Sequence, residues 1–226
     1  MPPLLLFDID LTLIATSGAG RTALDRAFEQ VISIPNATAG VSFDGRTDRA
    51  IILEVLARHA KPTDYFDHIR NAFLKTLPQA LAEKGGEILP GVEPLLDTLA
   101  AELPAIGLAT GNFREGARHK LTHFGLWQRF AAGGFGDHHT ERVDVIRTGI
   151  QALANVLGVD PNPAHAVVIG DTPLDIAAAL AAGARPIGVA TGRFTQAQLV
   201  AAGAAAVLPS LHPLDRALAV LLDRAP

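Results

Sequence analysis

Leu4-Leu5-Leu6-Phe7-Asp8-Ile9-Asp10-Leu11-Thr12-Leu13 is an aliphatic run that stops at two carboxylates. A short unbroken apolar run with a polar boundary is the pattern of a strand buried on both faces, as parallel sheets require. Ala166-Val167-Val168-Ile169-Gly170-Asp171-Thr172-Pro173-Leu174-Asp175 repeats the arrangement, with a glycine turn and two acids four residues apart at the start of a helix. Two further runs, Pro104–Thr110 and Pro186–Ala190, have the same character. Helical stretches follow or separate them at Val92–Glu102, Arg114–Phe124, Val143–Leu157 and Leu174–Ala182. Strands alternating with helices predict an α/β fold with a doubly wound parallel sheet.

Residues 16–87 interrupt that Rossmann-like alternation. Arg21–Ile32, Asp48–His59 and Tyr65–Leu77 all read as amphipathic helices with no strand between them. The expected organisation is a core of residues 1–15 and 88–226 with an α-helical cap, 16–87, inserted after the first acidic segment. Thr16-Ser17-Gly18-Ala19-Gly20 and Lys84-Gly85-Gly86-Glu87 border the insertion and suit hinges, and Pro90-Gly91 signals the turn back into the core.

The composition supports a folded chain. Its 226 residues are 49% hydrophobic and 19% charged, enough to build a large core without cross-links. A net charge of −4 and 5% aromatic residues provide neither a cationic field nor stacking platforms, so nucleic acid is excluded as a partner. The absence of cysteine removes disulfides, thiolate metal sites and thiol nucleophiles. Met1–Asp8 has no basic leader, and the long uncharged stretch Thr195–Leu214 is broken by Gly203, Pro209 and Pro213. The expectation is a cytoplasmic protein with no membrane partner.

Chemistry is concentrated where the strands end. Ligand sites of open α/β sheets lie outside the carboxyl ends of the strands, which is where Asp8 and Asp10 are delivered. Two acids so close either share a cation or hold a proton between them, giving a nucleophile beside a general acid. Asp171 can complete a site for a hard cation, with Asp175 in support. The same stretch also reads as a helix start capped by Asp171 or Thr172, with Pro173 at the first position. Thr110-Gly111-Asn112 ends another strand with a hydroxyl and backbone amides at a helix terminus, a place to hold phosphoryl oxygens or simply a turn.

These three segments together resemble the haloacid dehalogenase superfamily of phosphatases, specifically the members with a helical cap after the first motif. The D-x-D-x-T motif matches Asp8, Asp10 and Thr12, the threonine motif matches Thr110, and the acidic motif matches Asp171 and Asp175, in family order. The resemblance implies that Asp8 attacks phosphorus to form an aspartyl-phosphate, and that Asp10 protonates the leaving oxygen and then activates water. It also implies Mg2+ held by the Asp8 carboxylate, the Asp10 backbone carbonyl and Asp171. Thr110, helped by the Gly111 and Asn112 amides, would bind the transferring group.

Two positions depart from the family pattern. Leu11 stands where glycine is usual. The third motif's usual lysine is missing from Gly136–Asp144, and Arg142 is assigned as its substitute in catalysis and phosphate binding, with Arg147 the runner-up. In the cap, Phe43-Asp44-Gly45-Arg46-Thr47-Asp48 is similar to a turn of phosphoglycolate-phosphatase-like members. Arg46 is a candidate for a substrate carboxylate, and Thr47 and Asp48 read equally as a helix start. His119 and His123 are spaced as zinc ligands, but Lys120 between them and the surface character expected of their helix argue against a metal; His138-His139 is set aside as well.

The expected activity is Mg2+-dependent hydrolysis of a small phosphorylated metabolite, with a phosphoglycolate-like acid leading. The alternatives are a phosphoryl-transfer mutase on the same core and a non-catalytic phosphoester-binding protein. Carbon–halogen hydrolysis is disfavoured because that branch does not use an acid such as Asp10.

Overall fold

The computed structural model describes residues 3–224. Its centre is a six-stranded, all-parallel sheet in the order β5-β4-β1-β6-β7-β8. The strands are β1 (Leu4–Phe7), β4 (Gly107–Ala109), β5 (Ala132–Gly134), β6 (Ala166–Gly170), β7 (Arg185–Val189) and β8 (Ala206–Leu208). Because side chains alternate across a strand, Leu5 and Phe7 of β1 enter one apolar cluster while Leu4 and Leu6 enter another on the opposite face. The first cluster includes α4 (Val92–Glu102), α5 (Arg114–His123) and α9 (Leu214–Leu221); the second includes α6 (Arg142–Leu157) and α7 (Pro173–Ala181). Both faces of β1 are therefore dry, which is why its sequence is apolar throughout rather than alternating.

The strands expected from sequence are present: β6 has its expected bounds, β7 is shifted by one residue, and β1 and β4 are shorter than expected. β1 stops at Phe7 rather than Ile9, although the Asp8 N–H still donates to the Ile169 carbonyl at 2.9 Å. Beyond it Leu11 adopts φ 57°, a left-handed conformation that is uncommon for a leucine. The turn is fastened by the Leu11 N–H donating to the Ile14 carbonyl at 2.8 Å and by the Thr191 hydroxyl donating to the Leu11 carbonyl at 2.6 Å.

β2 (Ile14–Ala15) and β3 (Glu87–Ile88) pair antiparallel where the chain leaves and re-enters the core. Between them α1 (Ala19–Ile32), α2 (Asp48–Arg58) and α3 (Phe66–Lys84) surround their own buried cluster, with Phe28, Ile52, Leu56, Ile69 and Leu77 at its centre. Phe113, from the turn between β4 and α5, is also buried in that cluster, edge-on to Phe66 and Phe73. The remaining helix, α8 (Gln196–Ala201), connects β7 to β8. Among the described residues no helix is long and apolar enough to cross a membrane.

Candidate active site

β1 lies between β4 and β6, and the three carboxyl ends bring together Asp8, Thr110 and Asp171, which are far apart in the sequence. The helix that follows β6 begins as its sequence dictates. The Thr172 hydroxyl accepts from the Asp175 N–H at 3.1 Å, Asp175 accepts from the Thr172 N–H in return, and Pro173 takes the first helical position, where its missing N–H costs nothing. This reciprocal cap turns the Asp175 carboxylate inward, where it is 1% exposed.

Asp8, Asp171 and Asp175 are all buried, and each offers an oxygen within 4.8 Å of the others. The neighbouring cation is Arg142, at the start of α6, whose Nη2 lies 2.8 Å from Asp8 Oδ1 and 2.6 Å from Asp175 Oδ1. Burial pushes the Asp8 carboxyl up to about 6, outweighing the opposing pull of Arg142. Burial, with the charges of Asp175 and Asp8, pushes Asp171 up to about 9. Desolvation works against the Arg142 charge, yet Asp175 and Asp8 hold its guanidinium still more firmly protonated. Three buried carboxylates facing one guanidinium leave a negative, all-oxygen donor set, which fits a hard divalent cation.

Asp10 faces a second cation. The Lys120 ammonium donates to both Asp10 oxygens, at 2.7 and 2.8 Å, and to Asn112 Oδ1 at 2.6 Å. The Asn112 amide nitrogen in turn donates to Asp10 Oδ2 at 2.8 Å and to the Thr110 hydroxyl at 2.7 Å. Burial raises the Asp10 carboxyl, but Lys120, by charge and hydrogen bond, more than offsets this and holds it below the ordinary carboxylate range. Each of the three ammonium N–H groups thus has an acceptor, and Asn112 serves as the brace of this network.

Sequence reasoning missed Lys120. The surface helix expected around His119 and His123 has one buried face, formed by Gly116, Ala117, Lys120 and Leu121, and Lys120 is 5% exposed. Its position on the apolar face of α5 was the available signal. Among the described residues the one group able to hold a metal contains neither histidine; His119 lies 3.7 Å from Glu115.

The other candidates are placed as follows. Thr110 is buried, and Gly111 is a close-approach glycine, since a Cβ there would lie 2.1 Å from the Arg46 carbonyl oxygen and 2.8 Å from Arg142 Nη1. Thr12 is buried with no partner for its hydroxyl among the described residues. Arg147 is mostly exposed and pairs with Asp144 at 3.2 Å, away from Asp8. Arg46 lines the cavity above Asp8, but its guanidinium is paired with Glu54 of α2 and also reaches the Ser42 carbonyl.

Asp48 joins the inserted helices to the core. Its N–H donates to the Gly111 carbonyl at 2.8 Å and its Oδ2 accepts from the Phe113 N–H at 2.8 Å, while Thr47 caps α2 through the Ala50 N–H. Burial pushes the Asp48 carboxyl up to about 6 against the pull of Lys120 and the Phe113 N–H.

Asp8 thus stands in an acidic cluster that could take a cation, and Asp10 in a carboxylate–ammonium pair, just beyond the carboxyl end of β1. Residues 5–189 match the family described as haloacid dehalogenase-like hydrolase, and the chain belongs to that family. Phosphatases are among the curated relatives the chain resembles. It is 28% identical over 222 residues to a phosphoglycolate phosphatase of Rhodospirillum rubrum, covering 95% of this chain and 90% of that protein. It is 28% identical over 209 residues to the probable phosphatase IndB of Dickeya dadantii, covering 89% and 87% of the two chains. Among solved structures, CbbY from Rhodobacter sphaeroides in complex with phosphate superimposes with a TM-score of 0.69 at 24% identity, covering 95% of this chain and 96% of that one. A hydrolase from Pseudomonas syringae gives 0.72 at 22% identity, with 98% of each chain covered. At these identities the two structures speak for the fold.

Proposed function

We propose that the protein is a Mg2+-dependent phosphomonoester hydrolase that works through an aspartyl-phosphate on Asp8 and acts on a small phosphorylated metabolite. The observation that carries the reading is the position of Asp8, with the acidic cluster and Arg142 on one side and the Asp10–Lys120 pair on the other. Mg2+ would be held by the Asp8 carboxylate, the Asp10 backbone carbonyl and Asp171, and would neutralise charge on the transferring phosphoryl group.

In this reading Asp8 attacks phosphorus, and Arg142 keeps its carboxylate oriented and ionised while sharing the charge of the phosphoryl oxygens. Thr110 and the Gly111 amide, at the start of the turn into α5, hold those oxygens. The Asp10–Lys120 pair carries one proton between its carboxylate and its amine. Asp10 passes that proton to the leaving alcohol as the P–O bond breaks, then takes one back from the water that attacks the aspartyl-phosphate, so the pair ends each cycle as it began. Residues 16–87 serve as the cap that closes over the bound ester and excludes water.

The test is release of inorganic phosphate from a panel of small phosphomonoesters, with Mg2+ and with chelator, by the wild-type protein and by Asp8→Asn. Metal-dependent release that is lost in Asp8→Asn is the expected result. Release that survives chelation or the substitution contradicts the reading.

A further inference from the structure

Between the core and the inserted helices lies a cavity of about 500 Å³ that contains Asp8 and Asp10 at its base. Its upper wall is largely apolar, formed by Leu24, Ile51, Ile52 and Phe73. Five cationic side chains also line it: Arg21, Arg46, Lys120, Arg142 and Arg193. Four of them already face a carboxylate. Arg46 pairs with Glu54, Lys120 with Asp10, Arg142 with Asp8 and Asp175, and Arg193, largely exposed, sits 3.8 Å from Asp44.

Arg21 is different. Among the described residues no carboxylate lies within ion-pair distance of it, and it is held instead by uncharged groups. Nη1 donates to the Thr38 carbonyl at 2.8 Å and to the Thr38 hydroxyl at 3.0 Å, and Nη2 donates to the Val41 carbonyl at 2.8 Å. The Phe43 ring lies against the guanidinium at 4.0 Å. Asp25, one turn along α1, is occupied with the Thr38 N–H at 2.9 Å. These contacts fix the side chain without neutralising it, and they leave Nε–H and one Nη2 N–H without a protein acceptor among the described residues. A guanidinium with donors to spare, charged and lining the cavity, can take a carboxylate or phosphate.

From this geometry we infer that Arg21 is the specificity residue of the cavity, binding a second anionic group on the alcohol part of the phosphomonoester. The inference rests on the phosphomonoesterase reading and narrows it: the preferred substrates carry a carboxylate or a second phosphate a few bonds from the ester oxygen, while the apolar wall excludes water around the short linker. It moves the anion-binding role from Arg46, whose guanidinium is held by Glu54, a carboxylate it shares with Arg58, to Arg21. An oriented cation in a partly desolvated pocket favours such a substrate because leaving either charge unpaired there is costly.

The experiment compares ethyl phosphate, phosphoglycolate and ethane-1,2-diyl bisphosphate on the wild-type enzyme, Arg21→Met, Arg21→Lys and Arg46→Met. The expected wild-type result is a KM at least about tenfold lower for one or both doubly anionic esters than for ethyl phosphate. Arg21→Met removes that advantage while its KM and kcat for ethyl phosphate stay within about twofold, and Arg21→Lys restores part of it. Arg46→Met retains the preference. An advantage confined to phosphoglycolate or to the bisphosphate identifies the anion; either supports the inference. A loss in Arg21→Met that is equal for all three esters makes Arg21 merely a support of the 38–41 loop and overturns the inference, as does a wild-type enzyme without the preference. If ethyl phosphate alone is hydrolysed, the phosphomonoesterase reading stands and this one falls. Should no ester be hydrolysed, isothermal titration of phosphoglycolate, the bisphosphate and ethyl phosphate still decides the point, because equal affinities for all three contradict the Arg21 subsite.

Discussion

Asp8, Asp10 and Asp171 can be read from sequence because each follows directly on an apolar run, so the strand that delivers the side chain and the side chain itself lie within one short segment. Lys120 cannot be found in that way. It comes ten residues after Thr110, and only the fold of α5 against the Asp10 turn converts a lone lysine into a buried partner. Lys120→Met keeps the bulk and removes the charge. If the ammonium serves Asp10, the variant should hydrolyse alkyl phosphates about a hundredfold more slowly, yet lose less than about tenfold on p-nitrophenyl phosphate, whose leaving group needs no proton. Equal losses on both esters would reduce Lys120 to a structural role. The two arginines near the third motif separate on geometry: Arg142 touches Asp8 and Asp175, and Arg147 does not. Phosphate-release assays should therefore show Arg142→Ala slowed by about 10²–10³-fold and Arg147→Ala close to wild type, as expected for an exposed pair.

The elements of the core were legible from their periodicity: β1, β4 and β6 fall within the expected stretches, β7 is offset by one residue, and α4, α5, α6 and α7 match the expected helices to within a residue, whereas α8 was not expected. β5 and β8 were not. Ala132-Gly133-Gly134 reads as a turn, and Ala206–Leu208 is three residues in an alanine-rich segment, so neither has enough side-chain pattern to register as a strand. Nor did the sequence disclose that the turn after β4 joins the inserted helices to the core. Phe113 is fully buried among their side chains, and Phe113→Ala should cost about 3–5 kcal/mol, measured by urea unfolding. Asp48 adds a pH dependence. Its folded-state pKa of about 6 lies above the ordinary carboxylate value of 3.8, so the folded protein binds the proton more tightly than the unfolded chain. The stability this contributes is present at pH 4 and is lost as the pH rises through about 6. Asp48→Asn retains an acceptor for the Phe113 N–H without the charge. Its stability relative to wild type should therefore improve between pH 4.5 and pH 7; an unchanged difference would mean that Asp48 ionises freely.

At the scale of the whole molecule, the sheet order explains why one place gathers the chemistry. β1 is central, its neighbours β4 and β6 carry Thr110 and Asp171, and the insertion leaves the core just beyond β1, directly above them. The class of sheet could be read from sequence, but strand order and the packing of the inserted helices depend on contacts between distant segments. On the proposed reading, a divalent cation bound among Asp8, Asp171 and Asp175 stabilises the fold. At a hundredfold excess over its Kd, Mg2+ should add about 2.7 kcal/mol, a rise of roughly 5–10 °C in Tm. Asp171→Asn should fold without that response. The central claim, that Asp8 attacks phosphorus, is tested most directly by acid-quenching the enzyme during turnover of phosphoglycolate with Mg2+ and mapping the trapped phosphoryl group by mass spectrometry. The account predicts one phosphoryl group on the peptide that carries Asp8 and none in Asp8→Asn; turnover with no phosphoryl group on that peptide, or with one on another residue, would contradict it.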